Sequence, residues 1–139
     1  MKEKKLEKNF DVQSIGINAN HRIVFDFVAK PENLPLWTKA FAKADNKTAA
    51  MVTPNGELNI EMETIVSKYT GTVDWVMKMP DGSFGKAFSR ISENGNGAIY
   101  SFVLLAPPVP LEQLEGALSA QKILLADELV NLKNLLEAK

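Results

Sequence analysis

The sequence predicts an α+β domain: one strand, two short helices, about five antiparallel strands and a long C-terminal helix. Three observations carry this. After Ala106-Pro107-Pro108-Val109-Pro110, leucines at 111, 114, 118, 125, 129, 132 and 136 recur at helical spacing. Leu58 to Val66 and Val73 to Met79 alternate apolar with polar residues, the period of a half-buried strand. Asp81-Gly82 and Glu93-Asn94-Gly95-Asn96-Gly97 are turn signals between such runs.

Phe10 to Ile17 reads as the first strand, with Phe10, Val12 and Ser14 on one side and Ile15 and Ile17 toward a half-buried end. Asn18-Ala19-Asn20 breaks it, and either asparagine can cap a helix. Ile23, Val24, Phe27 and Val28 give that helix its apolar face, and Lys30-Pro31 ends it, because a residue before proline is driven out of the α region. A second short helix is expected to hold Leu36, Trp37, Ala40 and Phe41. Thr48 to Val52 is a short strand ended by Thr53-Pro54-Asn55-Gly56. Leu58, Ile60, Met62, Thr64 and Val66 share one face of the next strand, opposite Asn59, Glu61 and Glu63. Phe84 to Ile91 and Ala98 to Leu105 complete the strands. The final helix, Leu111 to about Glu137, contains no proline, and its length is about 40 Å at 1.5 Å per residue.

Hairpin arithmetic sets the faces. A turn near Tyr69-Thr70 pairs Met62 with Met77, Thr64 with Trp75 and Glu61 with Lys78. A two-residue loop at Asp81-Gly82 pairs Pro80 with Ser83, which puts Phe84, Lys86, Phe88 and Arg90 on the face of Trp75 and Met77. Ala98, Tyr100, Phe102 and Leu104 then join that face. Lys86 and Arg90 would need partners or water there, since unpaired buried charge is costly. A one-residue bulge would reverse the fourth and fifth strands and turn Ala87, Ser89, Ile91, Ile99, Val103 and Leu105 inward instead.

The 139 residues fit a single domain, 1–139, with a flexible charged N-terminus over 1–8. A formal net charge of -1 gives no wholesale attraction to nucleic acid or anionic membrane. Without cysteine there is no disulfide, thiolate metal site or cysteine nucleophile. No apolar run reaches membrane-spanning length, and the charged start lacks a secretory h-region, so the cytoplasm is the expected compartment.

The stretch Ile17-Asn18-Ala19-Asn20-His21-Arg22-Ile23-Val24-Phe25-Asp26-Phe27-Val28-Ala29-Lys30-Pro31-Glu32-Asn33-Leu34-Pro35-Leu36-Trp37 resembles the opening of the SRPBCC proteins, the START and polyketide-cyclase-like superfamily. Their opening has an isoleucine-x-alanine strand end, a helix centred on valine-phenylalanine, then aspartate-proline-glutamate and a tryptophan. The resemblance implies a helix-grip fold: a curved antiparallel sheet of about six to seven strands wrapped around the C-terminal helix, with a hydrophobic cavity between them. Lys30 stands where aspartate is common and Arg22 where glutamate is common. Thr53-Pro54-Asn55-Gly56 is poorer in glycine than the loop of the pollen-allergen branch. Six strands are legible where seven are typical.

The resemblance also implies a ligand site. Its expected lining is Met62, Trp75, Met77, Lys86, Phe88, Arg90, Tyr100, Phe102, Leu118 and Leu125, with Lys86 or Arg90 gripping a carboxylate or phosphate and Tyr100 orienting the ligand. His21 is a lone histidine and reads as solvated, as do Asp26 and the Glu61–Glu63 pair. No phosphate loop, serine elbow or metal motif is present, so no catalytic residue, cofactor or metal is assigned. The expected partner is a small hydrophobic or amphipathic molecule, not nucleic acid, and without membrane insertion. A polyketide cyclase or dehydratase is the alternative. A third reading is an interaction module with a filled cavity and an apolar patch on Ile99, Val103 and Leu105, which could equally serve a homodimer.

Overall fold

The computed structural model describes residues 10–53, 56–105 and 117–138, excepting the side chains of 53 and 117–119. Its element order is β1 (Phe10–Ile17), α1 (His21–Val28), a 3-10 turn (Pro31–Asn33), α2 (Leu34–Trp37), β2 (Phe41–Ala44), β3 (Thr48–Thr53), β4 (Gly56–Ser67), β5 (Thr72–Lys78), β6 (Phe84–Asn94), β7 (Gly97–Leu105) and α3 (Ala117–Glu137). The expected α+β class holds. The strands form one antiparallel sheet in the order β1-β7-β6-β5-β4-β3-β2, curled into a half-barrel with α3 across its concave side. The expected start of the last helix, residues 111–116, lies outside the described residues.

Helix α3 is about 30 Å long. Leu125, Leu129, Leu132 and Leu136 are its buried stripe, each no more than 3% exposed. Three bonds stitch the helix to β1 and its end, advancing along both elements in the same direction. Gln13 Nε2 donates to the Lys122 carbonyl at 2.9 Å, Lys133 Nζ to the Gly16 carbonyl at 3.1 Å, and the Asn18 N–H to Glu137 Oε2 at 2.7 Å. Lys133 also pairs with Glu137 one turn on. Polar groups at the edges of the stripe thus fix the helix lengthwise, while its leucines fill the core.

Asn20 caps α1, its Oδ1 accepting the Arg22 N–H at 2.9 Å. The buried face is Val24, Phe25 and Val28; Ile23, expected inside, is 53% exposed. At 100° per residue, positions 24, 25 and 28 form one stripe and position 23 lies off it. The second helix is shorter than expected. Leu34 and Trp37 are buried and Leu36 is exposed. The Thr38 hydroxyl donates to the Leu34 carbonyl and closes the helix, so Ala40 lies beyond it and Phe41 begins β2. That short β2 is the seventh strand the sequence did not reveal. It pairs with β3 through a shift in register between Phe41 and Lys43.

The β4–β5 register is the one the sequence predicts: Met62 faces Met77, Thr64 faces Trp75 and Glu61 faces Lys78. The β5–β6 register is not. Lys78 pairs with Phe84 and Trp75 with Ala87, one position away from the expected pairing. The cause is Pro80. Pairing it with Ser83 needs an N–H that proline lacks. The ladder closes instead at Met79, whose N–H donates to the Ser83 carbonyl at 2.8 Å. Pro80, Asp81 and Gly82 form a three-residue loop, with Gly82 at φ 90° as its left-handed residue. One extra loop residue turns β6 over. Ala87, Ser89 and Ile91 point inward, each 8% exposed or less, while Lys86, Phe88 and Arg90 point outward. The β6–β7 turn restores the expected face of β7, with Ala98, Tyr100 and Phe102 buried.

Candidate functional site

Between α3, the α2–β2 connection and the concave side of the sheet lies a pocket of about 580 Å³. Leu34 and Trp37 of α2 form one end, with Met51 of β3 beside them. Trp75 and Met77 of β5, Ala87 of β6, and Phe102 and Leu104 of β7 form the floor. Leu124, Leu125 and Glu128 of α3 form the roof. The floor is preorganised by aromatic packing. Trp75 stacks on Phe102 with ring centres 5.9 Å apart, and Tyr100 meets Phe102 edge-on at 6.3 Å and Trp37 at 6.0 Å. Such contacts hold large rings in single orientations.

The expected lining residues divide into groups. Trp75, Met77, Phe102 and Leu125 border the pocket. Met62 and Tyr100 are buried in the core behind it, at 2% and 0% exposure. Phe88 and Arg90 are on the opposite face of the sheet, so neither can line the pocket. Phe88 stands opposite Val103, which faces Val12 in turn, and Arg90 Nε donates to the Thr70 carbonyl. The Lys86 segment of β6 borders the pocket, but the residue itself is exposed. The side chain of Leu118 lies outside the described residues. Ile99, Val103 and Leu105, the expected interaction patch, are half-buried. The cationic grip expected from Arg90 is therefore withdrawn, on the strength of the Pro80 loop, while Lys86 stands at the exposed rim of the pocket.

What sequence reasoning missed is Glu128. It is 6% exposed and borders the pocket. Its Oε2 accepts the N–H groups of Lys39 at 2.6 Å and Ala40 at 3.1 Å. Among the described residues nothing donates to Oε1. Burial raises the carboxyl above its ordinary range, opposed by the two backbone N–H bonds and by the Lys39 charge, while Asp127 pushes the same way as burial. A signal was present: Glu128 stands three residues after Leu125 and four before Leu132, squarely on the apolar stripe. A carboxylate there must be bonded or functional.

Other polar groups in the floor are quieter. The Nε1 atoms of Trp37 and Trp75, Thr64 Oγ1 and the Tyr100 hydroxyl are buried without a hydrogen-bond partner among the described residues. Burial, its main cause, pushes the Tyr100 phenol above its ordinary range. Ser89 Oγ donates to the Val73 carbonyl at 2.5 Å. His21 borders a separate surface depression with Arg22, Lys68 and Tyr69. Among the described residues no group of three acidic or histidine side chains could hold a metal ion, and no helix is long and apolar enough to cross a membrane.

A curled seven-stranded sheet closed over a C-terminal helix, with two short helices after the first strand, is the SRPBCC-type, START-like helix-grip fold. Comparison with solved structures agrees. The chain is similar to a START superfamily protein from Mycobacterium smegmatis, at 10% identity and TM-score 0.68, over 93% of this chain and 97% of that one. It is similar to the di-domain ARO/CYC StfQ from the steffimycin biosynthetic pathway, at 8% identity and TM-score 0.69, over 94% of this chain and 51% of that one. It is also similar to the Aha1 dimer from Colwellia psychrerythraea, at 17% identity and TM-score 0.60, over 92% and 96% of the two chains. No family pattern and no curated protein matches the sequence. These likenesses establish the fold without singling out a member.

Proposed function

We propose that this protein binds a small hydrophobic or amphipathic molecule, lipid- or polyketide-like, in the pocket between the sheet and α3. The observation that carries the reading is the pocket itself: about 580 Å³ framed by Trp37, Trp75, Met77, Phe102 and Leu125. Sites of this size and apolar character are the usual form of small-molecule sites. Burying about 300 Å² of apolar ligand surface supplies roughly 7 kcal/mol before the costs of association. The cytoplasm is the proposed compartment, in keeping with a chain free of cysteine.

Thermal unfolding across a panel of fatty acids, sterols and aromatic polyketides tests this. At least one class should raise the melting temperature, by an amount that grows with the logarithm of ligand concentration above Kd. Ala87→Phe, which fills the floor, should abolish the shift while leaving a folded protein. A panel without any shift would sink the proposal.

A cyclase- or dehydratase-type enzyme is the second reading, and Glu128 is what favours it. Such an enzyme needs an acid or base bordering the pocket, and Glu128 is a buried carboxyl there, raised above its ordinary range by burial. Conversion of a linear poly-β-ketone mimic by the wild type and not by Glu128→Gln would support it. Equal product from both would remove it.

A further inference from the structure

We propose that Glu128 is the polar anchor of this pocket, and that the molecule it takes presents a hydrogen-bond donor, a hydroxyl or amine, rather than a carboxylate or phosphate. The inference rests on the binding reading above and adds the polarity of the ligand. Glu128 Oε2 is held by the N–H groups of Lys39 and Ala40, from the opposite wall, so the carboxylate cannot swing away. Oε1 receives no bond from the described residues and is left to accept one from a ligand.

Of the other polar groups bordering the pocket, Gln121 and the Trp37 and Trp75 indole N–H groups are neutral donors, and none of them carries charge. The Thr38 hydroxyl is occupied by the Leu34 carbonyl. Lys39 and Lys86 are exposed, where water screens them. The one buried charge among the described lining residues is the Glu128 carboxylate, with the Lys39 and Lys86 charges at the exposed rim. An anionic ligand end would meet that carboxylate with repulsion in a medium of low dielectric constant. A donor would form a charge-assisted bond, about twice as strong as a neutral one.

Three probes of one shape separate the cases: 2-naphthol, which donates; 2-methoxynaphthalene, which keeps the oxygen without the donor; and 2-naphthoate, which is anionic. Binding is read at pH 8 from the two tryptophan indole N–H resonances, since Trp37 and Trp75 both border the pocket. The wild type should bind 2-naphthol about tenfold or more tightly than 2-methoxynaphthalene, the worth of one hydrogen bond to a charged group, and 2-naphthoate least. In Glu128→Gln the Lys39 and Ala40 N–H groups select the amide oxygen, so the amide NH₂ replaces Oε1 and an acceptor becomes a donor. The preference for 2-naphthol should then be lost, since the oxygen of either probe can accept from the amide NH₂.

Equal binding of the first two probes, unchanged in Glu128→Gln, overturns the anchor and leaves the pocket reading standing. Failure of every probe to move either resonance overturns the pocket reading and the anchor with it. If Glu128→Gln does not fold, the wild-type ranking of the three probes decides alone.

Discussion

Glu128 and Ala40 are joined across the pocket, the carboxylate Oε2 accepting the Ala40 N–H at 3.1 Å and that of its neighbour Lys39 at 2.6 Å. The α2–β2 connection has left the helix and has not yet entered the sheet, so those N–H groups lack a secondary-structure partner. Glu128→Ala leaves them unpaired and opens space under α3. The expected loss is about 2 kcal/mol of stability, from orphaned donors and lost packing. Glu128→Gln keeps an acceptor and should stay within about 0.5 kcal/mol of wild type at pH 7. Urea titration of the three proteins measures both differences, and equal losses in the two variants would show that charge rather than the acceptor holds the connection.

The same group predicts a pH dependence. Burial raises the Glu128 carboxyl above its ordinary value of 4.5, so the folded state keeps the proton to higher pH than the unfolded chain does. Stability from this group is fully present below 4.5 and declines as pH rises through the folded value. Asp45, Asp81 and Glu137 are shifted downward by hydrogen bonds and act in the opposite sense, losing their contribution as pH falls. The comparison that isolates Glu128 is therefore wild type minus Glu128→Gln. The variant should gain on the wild type as pH rises from 4 to 8. A difference that is flat across this range would show that the carboxyl titrates normally.

How far the fold could be read from sequence follows from where each element draws its specification. The β4–β5 register was legible because alternation and the Glu61–Lys78 pair agree, and the structure holds that pair at 3.9 Å. The stripe of α3 was legible because Leu125, Leu129, Leu132 and Leu136 repeat at helical spacing. Strand β2 was not, because Phe41-Ala42-Lys43-Ala44 is only four residues, too short to show a period, and owes its pairing to β3. Glu128 was not legible as a pocket residue because its partners, the Lys39 and Ala40 N–H groups, lie far away in sequence. The facing of Lys86 and Arg90 turned on a single loop residue.

That loop gives a further prediction. With Met79 paired to Ser83, Lys86 and Arg90 lie outside, and Ala87 faces the core at 8% exposure. Lys86→Ala and Arg90→Ala should each leave stability within about 0.5 kcal/mol of wild type, as is usual for surface substitutions, and Arg90→Ala should leave probe affinity unchanged. Ala87→Asp, one position from Lys86, should unfold the protein or cost upwards of about 3 kcal/mol by burying an unpaired charge. Thermal melts of the three variants test the register directly. A severe loss from Arg90→Ala with a tolerated Ala87→Asp would mean that β6 is turned the other way.

Tyr100 supplies the last test, one that separates packing from polarity in the pocket floor. Its ring is fully buried between Trp37 and Phe102, and its hydroxyl lies near that of Ser89, which already donates to the Val73 carbonyl, without completing a hydrogen bond among the described residues. Leaving a hydroxyl unbonded in the core costs about 1–3 kcal/mol. Tyr100→Phe keeps the ring and removes the unpaired group. The variant should be as stable as the wild type or more so, by up to about 1 kcal/mol once the small void is discounted. Tyr100→Leu loses the edge-on contacts and should be clearly destabilised. Because Tyr100 lies behind the pocket wall, Tyr100→Phe should also leave naphthol affinity intact. A loss above about 1 kcal/mol for Tyr100→Phe would reveal a bonded hydroxyl, and a loss of affinity alone would make that hydroxyl part of the ligand site.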